Sequence, residues 1–158
     1  MVGSSKGNAT NLEGNNAIKP NAKGRKRHIQ VDTLGLVWGR SVTSANISDQ
    51  AGFKIVFTSV LLILSSIVKI YADRGYRGTL LSWVQEVSQQ KSVLEIVVPA
   101  AGRVGFAVEP KRWLVERTWG WFNWSRRLSK DYEQTSASSV AWLDISAIRT
   151  SLRKLAPN

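Results

Sequence analysis

Strands are indicated first by an alternation of apolar and polar residues in the N-terminal third of the chain. Residues 28–33 alternate, residues 33–35 have the composition of a turn, and residues 36–42 continue with side chains that favour strands. This pattern predicts a β-hairpin. Two short runs rich in β-branched residues, at 67–72 and 92–98, predict two further strands.

Four other segments repeat their apolar residues with the period of an α-helix, at 48–64, 80–87, 111–128 and 138–155. An irregular loop with Gly and Pro precedes the third of them. In the last helix, the spacing predicts an inward-packing face, formed by Val140, Ile145, Ile148, Leu152 and Leu155.

The resulting order is β-β-α-β-α-β-α-α. Strands that alternate with helices in this way form a mixed sheet whose faces are covered by helices. The fold class that we predict is therefore α/β.

Residues 1–22 differ from the rest of the chain. This segment is rich in Asn and Gly and contains no aromatic residue, so we expect a disordered polar arm, with the folded domain over 23–158. It lacks the apolar core of a secretion signal. The longest apolar stretch, 55–68, is shorter than the about 20 residues that cross a bilayer. We therefore expect no membrane association and a cytoplasmic location, in the cytosol or at the nucleoid.

Charge narrows the class of partner. The chain has 22 Lys and Arg against 11 Asp and Glu, which gives a net charge of +11, and it contains one His and no Cys. The excess is concentrated in residues 1–30 and 103–130. Without Cys there is no disulfide framework and no Cys nucleophile, so any chemistry must use carboxylates. Such a basic chain favours a nucleic-acid partner, with two separately solvated basic faces as the alternative.

Two carboxylates lie where chemistry is plausible. Asp73 follows the strand at 67–72 and precedes a glycine turn, the strand end at which α/β sheets place functional groups. Glu116 shares a polar strip of the third helix with Arg112, Asn123 and Arg127. The alternatives are that Asp73 caps the next helical segment and that Glu116 forms a surface ion pair.

The aromatic residues and the histidine admit two interpretations as well. Core and helix packing is favoured over a base-stacking platform for Trp113, Trp119, Trp121 and Trp124. His28 follows a basic run and has no partner in the sequence, so we expect it to pack in the hairpin, with a phosphate contact as the alternative.

A family resemblance rests on six segments that occur in a fixed order. They are 23–36 (KGRKRHIQVDTLGL), 71–78 (YADRGYRG), 94–97 (LEIV), 112–121 (RWLVERTWGW), 126–133 (RRLSKDYE) and 147–156 (AIRTSLRKLA). Together they resemble the C-terminal part of the catalytic domain of bacterial insertion-sequence DDE transposases. The resemblance implies an RNase H-like fold.

The resemblance also implies site residues. In that family three carboxylates hold two divalent ions, usually Mg²⁺ or Mn²⁺, which drive phosphodiester hydrolysis and strand transfer. Asp73 and Glu116 match the second and third carboxylates. Basic residues implied or expected to contact DNA at the transposon ends are Lys23, Arg25, Lys26, Arg27, Arg112, Arg126, Arg127 and Lys130. The basic residue often found seven positions after the glutamate is replaced by Asn123.

The first carboxylate has no match. Family members carry it on a strand before the basic segment at 23–27, and no Asp precedes Asp32. Asp32 belongs to the segment that follows that strand, and Glu13 lies in the polar arm. We therefore expect a truncated catalytic domain without its first strand, an exposed hairpin edge and an incomplete metal site.

The resulting hypothesis is a DDE transposase fragment that binds DNA and does not cut or join it alone; association into a homo-oligomer is left open. The alternative is a non-catalytic basic DNA-binding protein on a remnant fold. A third interpretation, an RNA-associated structural protein, leaves the two carboxylate motifs unexplained.

Overall fold

The antiparallel part of the fold contains the predicted hairpin and one additional strand. The computed structural model of the chain describes residues 1–7, 24–63, 66–97 and 111–156. Strands β1 (Val2–Gly7), β2 (Arg25–Val31) and β3 (Val37–Ser44) form one sheet in that order. Val2 lies opposite Gln30, and Gly7 lies opposite Arg25.

Strand β1 corrects three of the expectations. Residues 2–7 form a strand and are no loose arm, whereas residues 8–22 lie outside the described residues. The prediction that no strand precedes the hairpin is therefore wrong, as is the exposed edge at His28, because β1 pairs along the whole of β2. The polar composition of residues 2–7 led to the wrong expectation of a loose arm. A strand that pairs with a neighbour satisfies its backbone hydrogen bonds even when its residues are small and polar.

The hairpin turn is set by Asp32. Its Oδ1 accepts hydrogen bonds from the amides of Leu34 (2.8 Å) and Leu36 (2.9 Å), and Gly35 supplies a positive φ of 80°. Oδ2 accepts a bond from the Trp38 indole at 3.1 Å. The predicted turn is confirmed, and both oxygens of Asp32 are used in it.

The second sheet contains two parallel strands, β4 (Lys69–Ala72) and β5 (Val93–Ile96). Helix α2 (Leu80–Val87) makes the connection between them. Strand β1 contacts β4, so the two sheets lie side by side. Both predicted strands are present, which confirms the α/β class.

The remaining helices match the predicted segments except at one break. They are α1 (Asp49–Ile63), α3 (Arg112–Asn123), α4 (Arg126–Ser129) and α5 (Ser136–Leu155). The single helix predicted over 111–128 is two helices, because Ser125 adopts an extended conformation and its carbonyl accepts the amides of Leu128 and Ser129. The polar strip predicted from Arg112 to Arg127 is therefore interrupted. The predicted loop at 99–110 lies outside the described residues.

Two apolar clusters hold these elements together. One lies between α1, α2 and the parallel strands, and consists of Phe53, Phe57, Ile70, Ala72, Tyr76, Leu80, Val84 and Leu94. The other lies between β2 and helices α3 to α5, and consists of Ile29, Val31, Leu114, Val115, Phe122, Leu128 and Leu143. Helix α1 also contacts β2 and β3, so helices cover the antiparallel sheet on both faces.

Helix α5 departs from its predicted orientation. It buries Ser139, Leu143 and Ser146, whereas the predicted inward residues Ile145, Ile148, Leu152 and Leu155 are exposed and Val140 is half-buried. The helix carries apolar residues on two faces. Small serines on one of them let the helix approach β3 and α3, and Ser146 donates a hydrogen bond to the Ser125 hydroxyl at 3.0 Å.

No helix in the described part of the chain is both long and apolar enough to cross a bilayer.

Strand β2 presents a buried histidine to α1. His28 is fully buried, and its Nε2 lies 3.0 Å from the Thr43 hydroxyl. Burial lowers the pKa of this imidazole, which favours the neutral ring. Its neighbour on α1 is Gly52, where a Cβ would overlap the imidazole ring. The contact between β2 and α1 therefore requires glycine at position 52.

We predict that Gly52→Ala lowers the free energy of unfolding by about 3 kcal/mol or more, since the added methyl has no space beside His28. Gly120→Ala is the control, because the new Cβ at this exposed position of α3 meets nothing within 4 Å. It should raise the free energy of unfolding by about 0.5–1 kcal/mol through helix propensity. Urea denaturation measures both, and equal stability of the two variants would contradict the packing described.

Candidate functional site

Asp73 lies directly after the last residue of β4, at the carboxyl end of the parallel pair. Its Oδ1 accepts the amide of Gly75 at 2.9 Å and so caps a 3₁₀ turn, Arg74–Tyr76. The turn is fixed by Tyr76, whose buried ring lies 5.7 Å from that of Phe53. The half-buried carboxylate thus has the strand-end position predicted for a functional group and also the capping role held as the alternative.

Glu116 is exposed on α3. The start of this helix lies against the strand that leads to Asp73, because the Lys111 ammonium is 3.6 Å from the centre of the Tyr71 ring. Glu116 follows Lys111 by about one and a half helical turns. The structure brings the two elements together, and the convergence of the two carboxyl groups stays a prediction.

The first basic block, residues 23–27, has contacts within the fold for most of its cations. Lys23 lies outside the described residues. Arg25 Nη1 contacts both carboxylate oxygens of Asp131, at 3.1 and 3.2 Å. The Lys26 ammonium lies 2.8 Å from the Ile47 carbonyl and 3.2 Å from Asp49. These contacts tie β2 to the start of α1 and to the segment before α5.

Arg27 is the most enclosed of these cations, with 5% of its side chain exposed. It donates to the Leu128 carbonyl at 2.6 Å, and its Nη2 lies 3.9 Å from Asp131. Burial lowers the pKa of the Arg27 guanidinium, and the charge of Asp131 acts in the opposite direction. Its observed contacts are those of a structural residue that joins β2 to α4.

The second basic block is more open. Arg126, Arg127 and Lys130 are all exposed, on α4 or just after it. Arg127 lies 3.4 Å from Glu133, and the Lys130 ammonium lies 5.6 Å from the centre of the Tyr132 ring. Arg112 begins α3, but its side chain lies outside the described atoms. The cations of α4 are therefore accessible to a polyanion.

The family model for the transposase DDE domain matches residues 8–149, most of the chain. The chain belongs to the transposase DDE domain family. No curated protein and no solved structure matches it. The predicted family is therefore confirmed, and the DDE domain spans both basic blocks and both carboxylates.

DDE transposases generally use divalent metal ions, and the carboxylates of this domain fit that requirement only in part. Oxygen ligands suit Mg²⁺. Among the described residues, however, no group of three or more His, Asp or Glu side chains could hold a metal ion. Strand β1 contains no acidic residue, and Asp32 serves the hairpin turn. Two carboxylates can ligate one ion but do not form the two-ion arrangement.

Sequence reasoning did not single out a cation cluster centred on Arg117 of α3. In this DDE domain, the Arg117 guanidinium lies 4.1 Å from the centre of the Trp113 ring and 4.8 Å from that of Trp121. Arg117 and Lys154 both donate to the Leu34 carbonyl. Burial, followed by the charge of Arg117, lowers the pKa of Lys154. The i,i+4 spacing of Trp113, Arg117 and Trp121 was the available signal.

The contacts of the tryptophans around α3 show which of them pack within the domain. Trp119 packs edge-on against Phe122 with ring centres 5.7 Å apart, and Trp113 and Trp121 enclose Arg117. Trp124 differs, since it is 84% exposed at the break between α3 and α4. The packing interpretation holds for Trp119 and Trp121, which are half-buried, whereas Trp113 is 39% exposed and contacts Arg117 of its own helix.

We predict that Arg27→Ala lowers the free energy of unfolding of the DDE domain by about 2–4 kcal/mol, because it leaves the buried Leu128 carbonyl without its donor and removes a cation near Asp131. Arg126→Ala, on the open surface, should change it by at most about 0.5 kcal/mol. Urea titrations followed by tryptophan fluorescence compare the two. A neutral result for Arg27→Ala would mean that its contacts are dispensable to the fold.

Proposed function

We propose that this DDE domain takes part in DNA transposition as a DNA-binding domain of RNase H-like architecture. The observation that carries the proposal is the placement of Asp73, at the carboxyl end of a parallel strand and beside the start of the helix that contains Glu116. Ligands of α/β sheets bind outside such strand ends. Membership of the transposase DDE family identifies DNA as the substrate class.

The arrangement of strands supports the RNase H-like part of this proposal. A three-stranded antiparallel unit lies beside a parallel pair, with β1 in contact with β4. Helices pack on both faces of the antiparallel unit. In this arrangement β1 is the strand next to Asp73.

The two carboxylates can hold a single divalent ion. We propose Asp73 and Glu116 as its ligands, with Mg²⁺ or Mn²⁺ bound weakly. When bound, such an ion lowers the pKa of a coordinated hydroxyl and stabilises charge on a phosphodiester oxygen. Asp73 contributes a carboxylate already oriented by its bond to Gly75, so little ordering is required there.

We further propose that the chain by itself does not cut or join DNA. The two-ion reaction needs a carboxylate that bridges both ions. Strand β1 offers only uncharged residues and Lys6. Catalysis by this domain would need a third ligand supplied by another part of the chain or by a second molecule.

The DNA-binding surface follows from which cations are available. Arg126, Arg127 and Lys130 are exposed around α4. Arg25, Lys26 and Arg27 are engaged within the fold, so they add to the positive field more than to direct phosphate contacts. We assign direct DNA contact to Arg126, Arg127 and Lys130. We also propose that the domain acts at the nucleoid.

Replacing Arg126, Arg127 and Lys130 together with Ala should weaken DNA binding and reduce the slope of log K against log salt by about 0.9 per lost phosphate contact. The control replaces three other exposed cations with Ala, namely Lys69, Lys91 and Arg153. It removes the same net charge and should leave the slope nearly unchanged. Fluorescence anisotropy with a duplex oligonucleotide over a range of salt concentrations measures both. Equal slopes in the two triple variants would exclude α4 from the interface.

A second measurement tests the carboxylates. We expect millimolar Mn²⁺ to broaden NMR signals of residues near Asp73 in the unmodified domain, and this broadening to be lost in Asp73→Asn with Glu116→Gln. We expect no nicking of DNA with either metal. Metal-dependent nicking that disappears in the double variant would overturn the proposed inactivity.

A non-catalytic DNA-binding protein is the second candidate, favoured by the capping role of Asp73. It predicts no selective Mn²⁺ effect at Asp73. The Mn²⁺ measurement therefore separates the candidates, whereas both predict the same salt dependence of DNA binding.

A further inference from the structure

Helix α5 exposes a row of large apolar side chains over its last three turns. The exposed fractions are 53% for Ile145, 59% for Ile148, 63% for Leu152 and 73% for Leu155. An isolated exposed leucine is ordinary, but four along one line are a contiguous apolar surface. We call these four residues the α5 stripe.

The stripe lies opposite the face that attaches α5 to the domain. Ser139, Leu143 and Ser146 are the buried residues of the helix. At about 100° per residue, their mean direction is about half a turn from that of the stripe. Small rearrangements of α5 on the core therefore cannot bury the stripe, and its burial requires another molecule or segment.

The spacing of the stripe is that of a coiled coil. Successive members are separated by three, four and three residues, so Ile145 and Leu152 occupy a positions and Ile148 and Leu155 occupy d positions of two heptads. Two heptads are short for an isolated coiled coil. Here the helix is already formed, because its first half packs on the domain, so association does not have to include the cost of helix nucleation.

Charges beside the stripe favour one orientation. Asp144 falls at a g position and Arg149 at the following e position. In a parallel pair of helices these positions meet across the interface, which joins Asp144 of one copy with Arg149 of the other. In an antiparallel pair, g meets g and e meets e, so Asp144 and Arg149 would not pair with each other. Asp144 is also paired with Arg40 of its own chain, which fixes the carboxylate near the edge of the stripe.

From this pattern we propose that the occupant of the α5 stripe is a second copy of this chain, bound through a parallel, two-fold symmetric pair of α5 helices. A surface repeated at a and d positions is self-complementary, as a two-fold interface requires. The stripe faces away from the core, so the two domains lie on opposite sides of the helix pair and do not compete for space. This inference does not depend on the proposed DNA or metal binding.

Sedimentation velocity over a range of protein concentrations tests the interface. We expect a dimer that dissociates on dilution, and at least tenfold weaker dimerisation in Ile148→Glu with Leu152→Glu. The control is Leu62→Glu, at an apolar residue of α1 that is 86% exposed and lies outside the stripe. It should dimerise as the unmodified chain does. Circular dichroism verifies that the variants keep their helix content.

A charge exchange tests the orientation without removing apolar surface. Arg149→Asp alone and Asp144→Arg alone each place like charges together in a homodimer. A mixture of the two variants restores both pairs, so heterodimers should form more tightly than either homodimer.

Disulfide formation separates the two orientations, since the chain has no other cysteine. In a parallel pair Leu155→Cys meets its counterpart and should form an intermolecular disulfide under mild oxidation. In an antiparallel pair with Ile145 opposite Leu155, the two sulfurs would be separated by about 15 Å along the axis. A monomeric unmodified chain at high concentration, equal dimerisation of the stripe variant and the Leu62 control, or a dimer that Leu155→Cys fails to crosslink would overturn the proposal.

Discussion

Burial of strand β2 on both faces is the constraint on which the rest of this structure depends. Ile29 and Val31 point towards helices α3 to α5, and His28 points towards α1. Burying a polar side chain on such a strand costs free energy, which hydrogen bonds and close packing reduce. The Thr43 hydroxyl accordingly lies within hydrogen-bond distance of His28, and glycine stands at position 52 where α1 crosses the ring.

The same constraint determines what happens to the basic residues of β2. Arg27 points towards α4. A buried guanidinium there needs hydrogen-bond acceptors, and the Leu128 carbonyl and Asp131 provide them. Arg25 Nη1 contacts both carboxylate oxygens of the same Asp131. Cations that sequence reasoning assigned to DNA are therefore also the polar links between the sheet and α4. Their positive charge still contributes to the field that a polyanion would experience.

The enclosed strand also accounts for the division of the surface. Because α3, α4 and α5 are held against β2 and β3, α4 is left with its cations facing outward and α5 with an apolar row facing outward. The carboxylates lie elsewhere, around the end of β4 and on α3. Metal binding, DNA binding and self-association are thus assigned to different parts of the domain, which makes them separable by substitution.

The sequence by itself determined the local elements, because these depend on neighbouring residues. Asp32 and Gly35 specify the hairpin turn, the apolar period of 48–64 specifies α1, and Asp73 follows a strand as its context indicates. The ordered motifs were enough to identify the family. Only the tertiary structure decided that residues 2–7 pair with β2, because a polar strand gives no periodic signal until its partner is known.

Tertiary contacts likewise decided the partner of Arg25, which lies 106 residues away, and the buried face of α5, which carries apolar residues on two sides. The charge of a residue and its place in the apolar period indicate whether it can bind a partner or pack in the core. The choice among them depends on what the rest of the chain places opposite, and that information is not local.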